Sequence, residues 1–140
     1  MGQGVLKIGL DSAVFGNRRF LEWLRYTARF DVHASVIVYV ETLLWYKNLG
    51  LTSKDLQDEL LKLRASIRDI NQEVADKATD NALKHGREFP FRHHARDYII
   101  GSTAQLEKAT LITYKIHHFE WLTKEAVRVK TPEDFVAEKL

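Results

Sequence analysis

Three carboxylates of this chain stand where a solvated surface charge is not the natural explanation. Asp11 closes the apolar run Val5-Leu6-Lys7-Ile8-Gly9-Leu10. Glu41 lies inside Val36-Ile37-Val38-Tyr39-Val40-Glu41-Thr42-Leu43-Leu44-Trp45, and Asp97 inside Arg96-Asp97-Tyr98-Ile99-Ile100. A buried carboxylate is costly unless it is paired, hydrogen-bonded or bound to a cation, so three of them ask for a reason. One by one, a salt bridge or a helix cap suffices. Together they suit a hard divalent cation: Mg²⁺ or Mn²⁺ takes oxygen ligands, makes an attacking water more acidic and stabilises a leaving oxygen in phosphodiester cleavage.

Other chemistries are narrowed by what surrounds these acids. The sequence has no cysteine, which removes thiolate nucleophiles, disulfides and Cys-rich zinc sites. His93-His94 and His117-His118 invite zinc, but adjacent histidines diverge and neither pair has the i,i+4 spacing of a helical metal pair, so zinc is not expected. No Gly-rich loop follows the first apolar run, which counts against a small-molecule phosphatase. Lys84, Arg87, Arg92 and Arg96, with His85, His93 and His94 beside them, form a basic stretch leading into Asp97. Such a rim suits a phosphate backbone, and Phe89, Phe91 and Tyr98 are placed either to stack bases or to fill a core.

The elements that must position these residues follow from periodicity. The run ending at Asp11 reads as a buried strand, and Asn17 to Arg29 as an amphipathic helix with Phe20, Leu21, Trp23, Leu24 and Ala28 inward. A short strand is expected at Val32 to Ala34, then a helix from about Val36 that Ser35 can cap. Further helices are expected from Ser53 as cap, from Asn71 to His85 with Gly86 at the end, and from about His94 to Lys108. A strand at Thr110 to Thr113, a helical turn around His117 to Leu122, a strand at Ala126 to Val129 and a last helix opened by Pro132 complete the chain. Short unalternating strands separated by helices predict an α/β sandwich of three layers, with a mostly parallel sheet covered on both faces. Ligands of such sheets bind beyond the carboxyl ends of the strands, where Asp11 and Thr113-Tyr114-Lys115 stand.

The 140 residues suit one domain, read here as 1–140, and hydrophobic (45%) and charged (29%) shares are those of a globular protein. The net charge of +2 is too small for an overall basic coat. The longest apolar run, Val36 to Val40, is far short of the roughly 20 residues a membrane span needs. Met1-Gly2-Gln3-Gly4 carries no signal pattern, so a cytoplasmic location with no membrane partner is expected.

In their order and spacing these residues resemble the PIN domain family, in the single-domain form of VapC-type toxins. The likeness rests on Leu10-Asp11-Ser12-Ala13-Val14-Phe15, on Glu41, and on Asp97-Tyr98-Ile99-Ile100-Gly101-Ser102-Thr103-Ala104. Leu111-Ile112-Thr113 with His118-Phe119, and the closing Thr131-Pro132-Glu133-Asp134-Phe135, complete it. The resemblance implies an Mg²⁺- or Mn²⁺-dependent endoribonuclease cleaving single-stranded RNA, a homodimer, and an antitoxin protein that holds it inactive. It makes Asp11, Glu41 and Asp97 the catalytic, metal-holding acids, and Ser12 and Thr113 hydroxyls that support them. Two residues after Thr113 the family commonly has Asp or Asn, where this chain has Lys115. An ammonium cannot ligate Mg²⁺, so Lys115 is expected, with Arg92 and Arg96, to contact RNA phosphate instead. Glu120 is a conceivable replacement acid. The competing reading is a degenerate PIN module that binds RNA or a protein partner without cleaving it.

Overall fold

The apolar run that Asp11 closes becomes the first strand of a parallel sheet. The computed structural model describes residues 5–27 and 29–140, so the readings made on Met1 to Gly4 and on Ala28 fall outside it. Five strands are present among the described residues: β1 (Leu6–Leu10), β2 (Phe30–Ser35), β3 (Ala65–Arg68), β4 (Thr110–Ile112) and β5 (Val129–Lys130). They lie in the order β3-β2-β1-β4-β5, and every pairing is parallel. Ile8, Gly9 and Leu10 are buried in succession, which a strand allows only when both faces are covered. Seven α-helices among the described residues supply that cover: α1 (Arg18–Thr27), α2 (Val36–Asn48), α3 (Ser53–Leu63), α4 (Gln72–His85), α5 (Phe91–Glu107), α6 (Glu120–Thr123) and α7 (Pro132–Lys139). Short 3₁₀ turns at Ser12–Gly16 and Ile116–Phe119 follow β1 and β4.

The caps explain most boundaries. Asn17 accepts from the Phe20 N–H at 3.0 Å, Ser35 from the Ile37 N–H, and Asn71 from the Val74 N–H, each satisfying a donor that the first helical turn leaves free. The cap of α3 is Thr52 rather than Ser53, in a reciprocal capping box with Asp55. β3 is a strand the sequence did not announce: four half-buried residues at the sheet edge, entered from Arg64 in the left-handed conformation with no Gly or Pro to mark the turn. β5 is shorter and later than expected because Ala126, at φ +63°, turns the chain before it can pair. α5 begins at Phe91, three residues before the expected start, and breaks its helical geometry at His94 (φ −130°, ψ 15°).

Trp121, Tyr98, Phe119 and Phe135 are the largest fully buried side chains. Gly101 matters to how they pack, since a Cβ there would come within 2.7 Å of the Trp121 ring. The bare backbone lets the α6 tryptophan press onto α5 one turn after Asp97. That contact draws the preceding turn, with His118, alongside the Asp97 end of α5. Tyr98, which the sequence left between base stacking and core, is fully buried and donates its hydroxyl to the Phe89 carbonyl at 2.7 Å. Phe91 stays exposed, stacked on Tyr98.

Candidate active site

The sheet order reverses between β1 and β4, the place where ligands of parallel sheets bind. Leu10 pairs with Ile112, and the Asp11 N–H donates to the Ile112 carbonyl. Asp11 and Thr113 are thereby neighbours at the strand ends, and the Thr113 hydroxyl donates to Asp11 Oδ2 at 2.7 Å. Asp11 Oδ1 accepts from the Ser12 N–H at 2.8 Å, so the carboxylate also caps the 3₁₀ turn. Its side chain is almost wholly buried.

Glu41 arrives from α2 and Asp97 from α5, and both meet Asp11 around a single guanidinium. Arg96 Nη2 donates to Asp11 Oδ1 at 2.5 Å, to Glu41 Oε1 at 2.7 Å and to Ser12 Oγ at 3.1 Å. Its Nε donates to Glu41 Oε2 at 2.6 Å, and its Nη1 to Asp97 Oδ1 at 2.9 Å. Arg96, expected on the rim, therefore lies with its charge among the three acids. Burial alone would disfavour that charge, but the bonds it donates to Glu41 and Asp11 outweigh it and hold the guanidinium protonated far above any accessible pH. One positive charge faces three negative ones, and the side chain remains 22% exposed.

The other expected contributors are spread more widely. Lys115 donates its backbone N–H to Thr113 Oγ1 at 3.0 Å, which fixes the Thr113 proton on Asp11. Its side chain is exposed and forms no ion pair with a carboxylate among the described residues. The side chain found beside Asp97 is that of His118, not Lys115: His118 Nδ1 lies 3.2 Å from Asp97 Oδ2. His94 Nδ1 lies 3.4 Å from the same oxygen. One histidine of each adjacent pair thus reaches the site, which spacing within either pair could not reveal. Glu120 faces His117 at the surface, outside the cluster. Of the basic stretch, Arg87, Arg92 and His93 are exposed, while Lys84 and His85 are both paired with Glu125.

The carboxylates fit a hard cation in type and convergence, since the Arg96 guanidinium already marks the point on which all three close. A metal ion at that point requires Arg96 to leave it.

A model of the PIN domain matches residues 12–116, so that Asp11 and His118 flank the matched span. No curated protein matches the chain in sequence. Among solved structures, a toxin–antitoxin complex from Klebsiella pneumoniae is 22% identical with a TM-score of 0.65, over 89% of this chain and 97% of that one. VapBC-1 from nontypeable Haemophilus influenzae is 17% identical with a TM-score of 0.68, over 91% and 99%. FitAcB from Neisseria gonorrhoeae is 25% identical with a TM-score of 0.62, over 90% and 98%.

Proposed function

Because the chain belongs to the PIN domain family, we propose that it is a nuclease of the toxin–antitoxin type that cleaves single-stranded RNA with Mg²⁺ or Mn²⁺ held by Asp11, Glu41 and Asp97. The observation that carries this reading is the convergence of the three carboxylates on one cationic group at the carboxyl ends of β1 and β4. Solved structures of similar fold that are toxin–antitoxin complexes support an antitoxin as partner. No helix among the described residues is long and apolar enough to cross a membrane.

The cation, when bound, supplies positive charge for the scissile phosphate and a more acidic water. The chain's own residues prepare the place. Thr113 and the Ser12 N–H fix Asp11 in one rotamer, so its carboxylate pays little entropy to hold a ligand. Arg96 has a second use, because the planar fork that grips Glu41 matches the oxygens of a phosphate equally well. An arriving RNA backbone gives the guanidinium a new anion, and its partial exposure gives it a path. Arg92 and Lys115, both exposed, can then add charge along the strand. A second copy of the chain is the partner proposed for α2, whose Val40 and Leu44 lie one turn apart with more than half their surface exposed.

The reading of a non-catalytic module also has an observation in its favour, the full set of bonds by which Arg96 satisfies the acids. Cleavage decides. Single-stranded RNA should be cut in Mn²⁺ or Mg²⁺ and spared in EDTA, with Asp11→Asn inactive yet folded. An unchanged rate in that variant removes the nuclease reading of this site.

A further inference from the structure

The two oxygens of Asp97 have different neighbours. Oδ1 accepts from Arg96 Nη1, whereas Oδ2 faces the Nδ1 atoms of His94 and His118 at 3.4 and 3.2 Å. One donor atom from each of the three residues lies within 4.8 Å of the other two. We propose that His94, Asp97 and His118 form a binding site for a divalent transition metal of the Zn²⁺ class, beside the acid pocket that Arg96 fills.

The geometry suits such an ion. Bonds of about 2.0–2.1 Å in a tetrahedron set the ligand atoms roughly 3.4 Å apart, close to the two separations seen here. The donor chemistry points the same way, since two imidazole nitrogens and one carboxylate oxygen are borderline ligands that favour Zn²⁺, Co²⁺ or Ni²⁺ over Mg²⁺. With the His118 side chain half exposed, the fourth position opens to solvent, as in zinc sites that keep a place for water or a ligand.

The ligands are also held. His94 sits at the break in α5, with its ring against the edge of Phe89. His118 is carried on a turn whose Phe119 is fully buried and which the Trp121–Gly101 contact presses toward α5. The two imidazoles meet edge to face, 5.6 Å between centroids. Asp97 is buried and oriented by Arg96 on its other oxygen. Without an ion these atoms can form only hydrogen bonds that share one oxygen, and the two states are distinguished by titration.

Zn²⁺ titrated calorimetrically into EDTA-treated, dialysed protein should bind as one ion per chain, at least about 100-fold tighter than Mg²⁺. Co²⁺ should give the visible absorption of a low-coordinate site. His94→Ala and His118→Ala should each weaken Zn²⁺ by about tenfold or more, with the fold checked by circular dichroism. Should His94→Ala prove unfolded, the exposed His118 decides alone. Glu41→Gln and Asp11→Asn should leave Zn²⁺ affinity within about threefold, because a ligand set that excludes them feels only their screened charge. No Zn²⁺ binding overturns the proposal. So does binding that survives loss of both histidines, or that disappears in Glu41→Gln, since either places the ion elsewhere. RNA cleavage is not read in this experiment, so its outcome is independent of the nuclease reading.

Discussion

Arg96 decides the electrostatics of the site at the scale of single residues. Its guanidinium bonds all three acids, so a cation that enters the point on which they converge must displace it. Arg96→Gln should therefore tighten Mn²⁺ binding by tenfold or more, since about 1.4 kcal/mol suffices for that factor. The same variant should lower the stability of the metal-free protein by about 3 kcal/mol, the low end for breaking a buried pair because the side chain is partly exposed. Thermal melts with and without Mn²⁺ check both, and an unchanged Mn²⁺ affinity would show that the guanidinium does not compete. Lys115 is expected to behave differently. With its ammonium outside the cluster, Lys115→Ala should leave Mn²⁺ affinity nearly unchanged. Lys115→Ala and Arg92→Ala should each weaken RNA binding and reduce its salt dependence by about one counterion. Filter binding across salt concentrations measures this, and an unaltered slope would place RNA elsewhere.

β1 and β2 are held together by a close contact that also titrates. The His33 ring on β2 lies over Gly9 on β1, where a Cβ would come within 2.8 Å of it. Burial, partly offset by Glu107, pulls the His33 pKa down from 6.5 to about 4. Between those values the unfolded chain binds a proton that the folded chain refuses. Stability is thus full above pH 6.5 and falls as the pH drops toward 4. Denaturant unfolding should give a stability about 2 kcal/mol lower near pH 5 than near pH 7.5, and His33→Asn should flatten that decline. If the decline persists in the variant, another group causes it. Gly9→Ala should cost about 1–3 kcal/mol through overpacking against the ring, detectable in the same unfolding curves.

At the scale of the whole molecule, part of the exposed apolar surface lies on α2 and α3. There Leu56, Leu60, Leu63 and Tyr46 are buried while Val40, Leu44, Trp45 and Leu61 are not. An exposed apolar helix face suits self-association. Sedimentation of the wild type should show a dimer, and Leu44→Glu should shift it to monomer with little change in the melting of the monomer fold. A wild type that sediments as a monomer would reassign the face to another partner.

The sequence by itself determined the parallel sheet, the helix cap at Ser35 and the three acids, because each is a local signal: an unalternating apolar run, a side chain placed to take a free N–H, a charge interrupting hydrophobic residues. It did not announce β3, whose four residues gain strand geometry only by pairing with β2. Nor did it announce the roles of Arg96 and His118. Arg96 reads as one more cation in a basic stretch, and only the meeting of β1, α2 and α5 turns it inward among Asp11, Glu41 and Asp97. His118 lies 21 positions from Asp97 and reaches it because Trp121 fits against the bare backbone of Gly101. Which residues neighbour the acids was settled by that packing between distant elements, and spacing along the chain carries no record of it.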